Sequence, residues 1–193
     1  MCSSDLKAHD LVLHMDGARL LNAVVASGVS ARDYAEPFDS LWIDLSKGLG
    51  CPVGAVLAGS ADFIEQAWQW KQRMGGAMRQ SGSIAAAGVY ALKNNIDRMT
   101  EDHENAQLFA ERIANLPGVR IDPEKIETNM VFFDVSQTGM TAAQVHERLL
   151  ERGVRIGEND RYRMRVVTHL DVTRDQVAQA AEAVRDVVME AAA

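Results

Sequence analysis

The sequence predicts an α/β protein, built from part of a mostly parallel sheet and a C-terminal α+β unit. In the first half, "LVLHM" (residues 11–15) reads as a strand, and a tight turn and the helical pattern "ARLLNAVVAS" follow it. Two further apolar runs flank a lone lysine, Lys47. The second half alternates strands and helices in the manner of a compact α+β unit. The pattern changes over residues 94–102, which places the boundary between the two parts near residue 97.

The elements of the first part follow from apolar spacing and from residues that start or stop helices. Gly28 ends the first helical pattern, and "FDSLWIDLS" and "VGAVLAG" indicate two more buried strands. Ser60 is a candidate N-cap for a helix over "ADFIEQAWQWKQRM". The stretch "SGSIAAAGVYAL" is so rich in small residues that we expect an interior or interface helix there.

The second part has longer amphipathic patterns. A helix that ends at Pro117 and Gly118 has one apolar face, formed by Ala106, Phe109, Ala110, Ile113 and Leu116. Strand "NMVFFDV", a helix from Thr141 to about Arg152 and strand "RMRVVTH" follow. The last helix begins near Thr173 and aligns Val177, Ala181, Val184 and Val188.

The first part supplies about three strands and few helices to cover them, whereas parallel sheets are covered on both faces. Together with the start "MCSSDL", which has no cap or periodic pattern, this indicates an N-terminally truncated central domain. We therefore expect residues 1–97 to be a partial large domain, and residues 98–193 to be a self-contained small α+β domain.

Composition excludes several classes of partner. The formal net charge is −7 and the isoelectric point is about 5.2, so nucleic acid and anionic membrane surfaces are not expected partners. No apolar run approaches the roughly 20 residues that span a bilayer, and the first ten residues are too polar for a signal peptide. Cys2 and Cys51 have no metal or redox spacing, which predicts a cytoplasmic chain with reduced thiols.

Two residues near the first predicted strand are candidate ligand groups. Asp16 follows this strand directly, at the position where open α/β sheets place groups that contact ligands. The structural alternative is that Asp16 caps the helix that starts at Gly17, and that Arg19 is its ion-pair partner. A metal pair formed by His14 and Asp16 has no second ligand cluster, so no metal is assigned.

Lys47 is the most informative single residue. It lies between two strand-like runs, with Ser46 before it and Gly48 and Gly50 after it. Glycine leaves room for a flat ligand against the backbone, and a desolvated lysine can attack a carbonyl to form a Schiff base. The alternative is a turn lysine that points to water.

Two further stretches could bind anions. "GGAMRQSG" (residues 75–82) is a flexible turn ahead of a helix N-terminus, and Arg79 adds positive charge there. In "RYRMRVVTHLD", Arg163 and Arg165 share one face of a strand, and either could bind a carboxylate through two hydrogen bonds. Surface arginines are the alternative for both stretches.

These signals occur together, and in one order, in a known family. The matching stretches are "HMDGARLLNA", "LSKGLGCPVGAVLAGS", "GGAMRQSGSIAAAGVYALKNN", "EDHENA" and "VVTHLD". The chain resembles the C-terminal part of the low-specificity L-threonine aldolases, which are pyridoxal-phosphate (PLP) enzymes of the aspartate-aminotransferase fold, fold type I. The resemblance covers nearly the whole chain from about residue 10.

The resemblance implies a role for each candidate residue. Lys47 matches the lysine that holds PLP as an internal aldimine, and Asp16 matches the partner of the protonated pyridine nitrogen. Arg19 would lie beside the phenolic oxygen of the cofactor and near the substrate carboxylate. Arg165 would bind that carboxylate, and Arg79 would serve a cofactor phosphate. The N-terminal half of the family, which carries the phosphate loop and further histidines, has no counterpart here.

The activity implied is retro-aldol cleavage of L-threonine or L-allo-threonine to glycine and acetaldehyde, by a cytoplasmic dimer or tetramer acting on a small β-hydroxy amino acid. The sequence departs from the usual pattern of the family at two positions. Many members have a more basic residue in place of Gln72, and a third glycine is usual in place of Ala77. The alternatives are a β-eliminating lyase, a glycine hydroxymethyltransferase, or a folded fragment that is weakly active or inactive alone.

Overall fold

The computed structural model describes residue 6 and residues 8–191, and the chain divides into two compact units, Met1–Arg98 and Met99–Ala193. Each unit contains its own three-stranded sheet. No helix in the described part of the chain is long and apolar enough to cross a membrane.

The first unit contains a mixed sheet. Its elements are β1 (His14–Gly17), α1 (Leu20–Ser27), α2 (Ala31–Ala35), β2 (Ser40–Asp44), β3 (Ala55–Gly59), α3 (Ala61–Arg73) and α4 (Gly82–Asn94). The strand order is β1-β2-β3; β1 and β2 are parallel, and β3 is antiparallel to β2. The carboxyl ends of β1 and β2 therefore lie at the same edge of the sheet.

The helix boundaries follow the local signals in the sequence. Gly28 ends α1 in the left-handed conformation, with φ of 72°. The side chain of Ser60 accepts a hydrogen bond from the backbone N–H of Phe63 and so caps α3, as predicted. The short helix α2 was not expected from the sequence; Ser30 caps it in the same way, through Asp33.

Two sequence-based expectations about the first unit are wrong, and a third holds at most in part. β1 begins at His14 and extends to Gly17, not over residues 11–15, because Leu11 and Val12 are exposed and outside the ladder. All five residues of β3 are exposed, so this strand is not buried. The small-residue helix α4 was expected to be an interior or interface helix; it buries only Gly88 and Ala91 within this unit, so the interior alternative does not hold.

Gly17 permits the close approach of β1 to β2. A Cβ atom at this position would collide with the backbone carbonyl oxygen of Trp42. We expect Gly17→Ala to lower the free energy of unfolding by about 1–3 kcal/mol, because the neighbour is backbone and cannot rotate away. Urea titration measures this loss. Gly82→Ala is the control, since a Cβ there meets nothing within 4 Å; equal stability of Gly17→Ala and wild type would contradict the packing account.

The second unit contains an antiparallel sheet covered by helices. Its elements are α5 (Met99–Ile113), β4 (Met130–Asp134), α6 (Ala142–Glu151), β5 (Gly157–Glu158), β6 (Arg163–Val167) and α7 (Arg174–Ala191). The strand order is β4-β6-β5. Its core includes Phe109 of α5, Phe133 of β4, Val145 of α6, Met164 of β6 and Val184 of α7, each at most 1% exposed.

The apolar spacing of the second half predicts this core well. In α5, Phe109, Ala110 and Ile113 are fully buried, as the helical periodicity indicates. α6 begins after Thr141, whose side chain forms a capping box with Gln144. The two-residue strand β5 was missed because a pair of residues carries no periodic signal.

Candidate active site

The loop after β2 is held in a defined conformation by backbone hydrogen bonds. The N–H of Gly50 donates to the carbonyl of Lys47 over 2.8 Å, and the N–H of Cys51 donates to the carbonyl of Leu45 over 2.9 Å. Leu49 is 1% exposed, and its carbonyl accepts a hydrogen bond of 2.8 Å from the Asn95 side chain. The loop that carries Lys47 is therefore closed by backbone hydrogen bonds and held in place by the buried Leu49.

Lys47 lies partly buried at the carboxyl end of β2. Its side chain is 39% exposed, and its Nζ lies 3.3 Å from Oδ2 of Asp44. The same nitrogen lies 5.3 Å from the centre of the Trp42 ring, within the range of a cation–π contact. The amine therefore does not point simply into water, which was the alternative reading of its sequence position.

Asp44 is the last residue of β2, and it organises the turn that carries Lys47. Its Oδ1 accepts hydrogen bonds from the Ser46 N–H (2.6 Å), the Ser46 hydroxyl (2.7 Å) and the Lys47 N–H (3.1 Å). Burial alone would raise the pKa of Asp44. The hydrogen bonds from Ser46 and Lys47 and the charge of Lys47 outweigh burial and hold this pKa below its usual value.

Asp16 lies on the same face of the sheet as the cluster formed by Trp42, Asp44 and Lys47. Asp16 of β1 is paired with Trp42 of β2, and paired residues of neighbouring strands project from the same side. Asp44 follows Trp42 by two positions and so shares that side. Parallel pairing therefore brings Asp16, Trp42, Asp44 and the Lys47 loop to one face near one edge.

Asp16 lies at a different place from the one expected from the sequence, and it does not cap a helix. Asp16 is exposed and lies within β1, not after it. It is not the cap of α1, which begins at Leu20 with Arg19 at the N-cap position. Its Oδ1 accepts a hydrogen bond of 3.0 Å from the Ala18 N–H. No ion pair joins Asp16 to Arg19 among the described residues, so this structural alternative for the two side chains does not hold.

The three arginines lie at distinct places in the fold. Arg19 is half-buried at the start of α1. Arg79 is exposed in the turn between α3 and α4, where the neighbouring Gln80 adopts a φ of 52°. In the described chain, Arg79 forms no hydrogen bond or ion pair. The structure thus leaves its guanidinium available to an anion but does not bring it into contact with Lys47.

Arg165 belongs to the second unit, on β6. It is exposed, it is paired with Phe132 and Gly157 on the neighbouring strands, and it makes no ion pair within residues 8–191. Arg163, on the same strand face, instead stacks on the Phe132 ring at 4.6 Å and lies opposite Asp134. Of the two arginines, only Arg165 presents a guanidinium that no group in the described part of the chain engages.

His14 makes a local contact. Its Nδ1 lies 2.8 Å from the hydroxyl of Ser40 on the neighbouring strand. Among the described residues, no group of three or more His, Cys, Asp or Glu side chains could hold a metal ion. Ser40 therefore accounts for the position of the His14 ring without a ligand.

Two members of the cluster, Trp42 and Asp44, were not singled out from the sequence. Trp42 reads as an ordinary apolar residue of a strand. The sequence does contain one signal for Asp44, which is its position at the end of a strand, three residues before Lys47. At this spacing a carboxylate can reach both the backbone of the turn and the lysine amine.

The chemistry of this cluster fits PLP. The amine of Lys47 can condense with an aldehyde, and Asp16 retains one carboxylate oxygen, Oδ2, without a partner in the described part of the chain. Such an oxygen suits a protonated ring nitrogen. Trp42 supplies apolar surface beside the amine.

Comparisons with known proteins agree with this reading. The family model of the beta-eliminating lyases matches residues 4–138. The low specificity L-threonine aldolase of Escherichia coli (strain K12) is 46% identical over 175 residues, which are 91% of this chain and 50% of that protein. The low-specificity L-threonine aldolase 1 of Arabidopsis thaliana is 40% identical over 172 residues, 89% of this chain and 48% of that protein.

A solved structure shows the same fold. The crystal structure of a putative L-allo-threonine aldolase from Listeria monocytogenes superposes with a TM-score of 0.75 at 27% identity, and the match covers 98% of this chain and 54% of that one. The chain spans about half the length of the curated relatives it matches. The match of the family model over more than half of the residues shows that the chain belongs to the beta-eliminating lyase family, a PLP-dependent family of fold type I.

Proposed function

We propose that this chain is the C-terminal part of a threonine aldolase that cleaves L-threonine or L-allo-threonine to glycine and acetaldehyde. The observation that carries the proposal is the amine of Lys47, which lies 3.3 Å from Asp44 and 5.3 Å from the ring of Trp42, the residue paired with Asp16. The similarity to named threonine aldolases over about nine-tenths of the chain supports the reaction type.

Each residue would act on the cofactor or the substrate. PLP, when bound, withdraws electrons from the bond that breaks. Lys47 would hold it covalently, and Asp16 would keep its ring nitrogen protonated through the free carboxylate oxygen. Arg19 would lie beside its phenolic oxygen and near the substrate carboxylate, and the unengaged guanidinium of Arg79 would bind its phosphate.

The second unit would supply substrate recognition. Arg165 projects an exposed guanidinium from β6, and a planar guanidinium matches a carboxylate through two parallel hydrogen bonds. We propose that the first unit corresponds to part of the PLP-binding large domain and that the second unit is the small domain. Arg165 would then fix the amino acid so that its β-hydroxyl can lose a proton as the Cα–Cβ bond breaks.

Product analysis tests the proposed reaction. The chain is incubated with PLP and either L-threonine or L-allo-threonine, and glycine and acetaldehyde are quantified. We expect the two products in equal amounts, at a rate below that of a full-length relative, because the chain spans about half of such a protein. A 2-oxo acid and ammonia in place of glycine would instead favour β-elimination, the activity in the family's name.

We further propose a homo-oligomer, either a dimer or a tetramer. Large apolar side chains are exposed on β3, α3 and α4, including Leu57 (40%), Trp68 (55%), Trp70 (58%) and Tyr90 (64%). Exposed apolar surface of this kind marks interaction sites. We expect light scattering behind gel filtration to give at least twice the chain mass of 21.2 kDa at micromolar concentration. A monomer at all concentrations would contradict this.

We also propose that the protein is cytoplasmic. Cys51 is a buried free thiol. Burial, and secondarily the charge of Asp44, raise its pKa. A protonated, buried thiol fits a reducing compartment, where disulfides are rare.

A further inference from the structure

Trp42 lies in the middle of a row of side chains on one face of the first sheet. It is paired with Asp16 of β1 on one side and with Leu57 of β3 on the other. Paired residues of neighbouring strands project from the same side of a sheet. The row therefore runs from a carboxylate, through an indole ring, to an apolar side chain that is 40% exposed.

The Lys47 amine lies beside the indole ring of this row. Its Nζ is 5.3 Å from the centre of the ring. A C–N bond is only about 1.3–1.5 Å long, whereas aromatic rings are in contact when their centres are about 4.5–7 Å apart. A flat ring that is joined through one carbon to Nζ can therefore lie in contact with Trp42.

Trp42 differs in its surroundings from the other two tryptophans in the sequence. Trp68 and Trp70 lie on helix α3 and are 55% and 58% exposed. Trp42 is partly buried in a strand, next to the carboxylate of Asp16. A partly buried strand residue has less freedom to move than an exposed helical one, and it still has surface that a ligand can reach.

We propose that Trp42 is a specificity-determining residue of the cofactor site: its indole contacts the ring of PLP and favours flat aromatic ligands over aliphatic ones. This inference rests on the proposed function, because Lys47 and Asp16 are the groups that would hold PLP beside it. The three side chains then contact three different parts of the ligand. Lys47 binds the aldehyde carbon, Asp16 binds the ring nitrogen, and Trp42 covers apolar ring surface.

Trp42 supplies a selectivity that the two charged groups do not. An amine and a carboxylate accept many small aldehydes and cations, because neither group recognises the shape of a ligand. An aromatic side chain contributes more to the binding of another ring than its apolar area alone, through offset or edge-to-face contact of the two π systems. At position 42, phenylalanine would keep much of this contact, whereas leucine would keep only apolar area.

The test uses a probe that cannot condense with Lys47. Pyridoxine 5′-phosphate has an alcohol in place of the aldehyde of PLP, so its affinity reports noncovalent contacts alone. Glycerol 3-phosphate has the phosphate but no ring, and it is the control ligand. The dissociation constants of both ligands are measured by equilibrium dialysis for wild type, Trp42→Leu and Trp42→Phe, and circular dichroism checks that each variant is folded.

We expect Trp42→Leu to bind pyridoxine 5′-phosphate about twofold to tenfold more weakly than wild type, and Trp42→Phe to bind it within about twofold of wild type. Neither substitution should weaken the binding of glycerol 3-phosphate. Equal affinity of wild type and Trp42→Leu for pyridoxine 5′-phosphate, or the absence of binding by wild type, would overturn the inference. Equal losses for both ligands would also overturn it, because they would indicate a purely structural role for Trp42.

Tryptophan fluorescence gives a second readout, which keeps an aromatic ring at position 42. Pyridoxine 5′-phosphate absorbs light in the range where tryptophan emits, and quenching by energy transfer falls steeply with distance. We expect the probe to quench wild type and Trp68→Phe, and to lose most of this effect in Trp42→Phe. Trp68 is the matched control, because Lys71 lies 5.1 Å from its ring. Quenching that persists in Trp42→Phe would overturn the inference even if Trp42→Leu fails to fold.

The outcome for the proposed function is separate. The probe cannot react, whereas the release of glycine from threonine tests the reaction itself. Binding that depends on Trp42 without any release of glycine would contradict only the proposed function. Release of glycine by a chain whose binding of the probe does not depend on Trp42 would contradict only the role of Trp42.

Discussion

Lys47→Ala should abolish the formation of glycine from threonine, with a loss on the order of 10³-fold or more. No other described lysine has an environment like that of Lys47, which combines a closed loop, a carboxylate at 3.3 Å and an aromatic ring at 5.3 Å. Loss of this amine removes the only proposed covalent attachment for PLP. Initial rates of glycine release measure the effect, and the absorbance of lysine-bound cofactor should disappear with it.

Lys71→Ala is the matched control for this substitution. Lys71 Nζ lies 5.1 Å from the Trp68 ring, close to the distance between Lys47 and Trp42, but it lies on the exposed helix α3. We expect Lys71→Ala to retain both the absorbance and the rate within about twofold, because surface substitutions of this kind have small effects. Equal losses in both variants would show that the Lys47 effect is not specific.

Phe109→Ala should lower the free energy of unfolding of the second unit by about 3–5 kcal/mol. Phe109 is fully buried in α5, and its ring centre lies 6.0 Å from that of Phe133 in a tilted arrangement. Truncation leaves a cavity between the helix and the sheet and removes this aromatic pair. Urea titration followed by circular dichroism gives the loss, and hydrogen exchange of peptides from residues 99–191 assigns it to the second unit.

Leu150→Ala is the control for the core substitution. Leu150 lies on α6 in the same unit, but it is 46% exposed. We expect its loss to change the free energy of unfolding by no more than about 0.5 kcal/mol. A Phe109→Ala variant as stable as the Leu150→Ala variant would contradict the assignment of the core.

The sequence predicts the second unit better than the first for a physical reason. Helices α5, α6 and α7 bury apolar faces inside their own unit, so periodicity alone identifies residues such as Phe109, Val145 and Val184. In the first unit, the strands and α4 carry apolar or small residues that remain exposed there, such as Val56 and Val89. The spacing of apolar residues shows that one face of a helix or strand is apolar, but it does not show whether another part of the protein buries that face.

The sequence also predicts some features of the candidate site and not others. The order of the motifs points to Lys47 and Asp16 as candidates, and parallel pairing of β1 with β2 puts Asp16 beside Trp42, whose ring centre lies 5.3 Å from the Lys47 amine. The ion pair of Lys47 with Asp44 and its contact with Trp42 depend on the turn geometry after β2, which no residue pattern specifies. The bounds of β1 were also not predicted: the strand extends to Gly17, so Asp16 lies within it and not after it.

Identification of the lysine that carries PLP tests the central claim most directly. The wild-type chain is incubated with PLP, reduced with borohydride and digested, and the labelled peptide is sequenced by mass spectrometry. We expect the label on the peptide that contains Lys47 at limiting PLP, with Lys71, Lys93 and Lys125 labelled only at higher concentration. Label spread equally over these exposed lysines, or its absence from Lys47, would contradict the account.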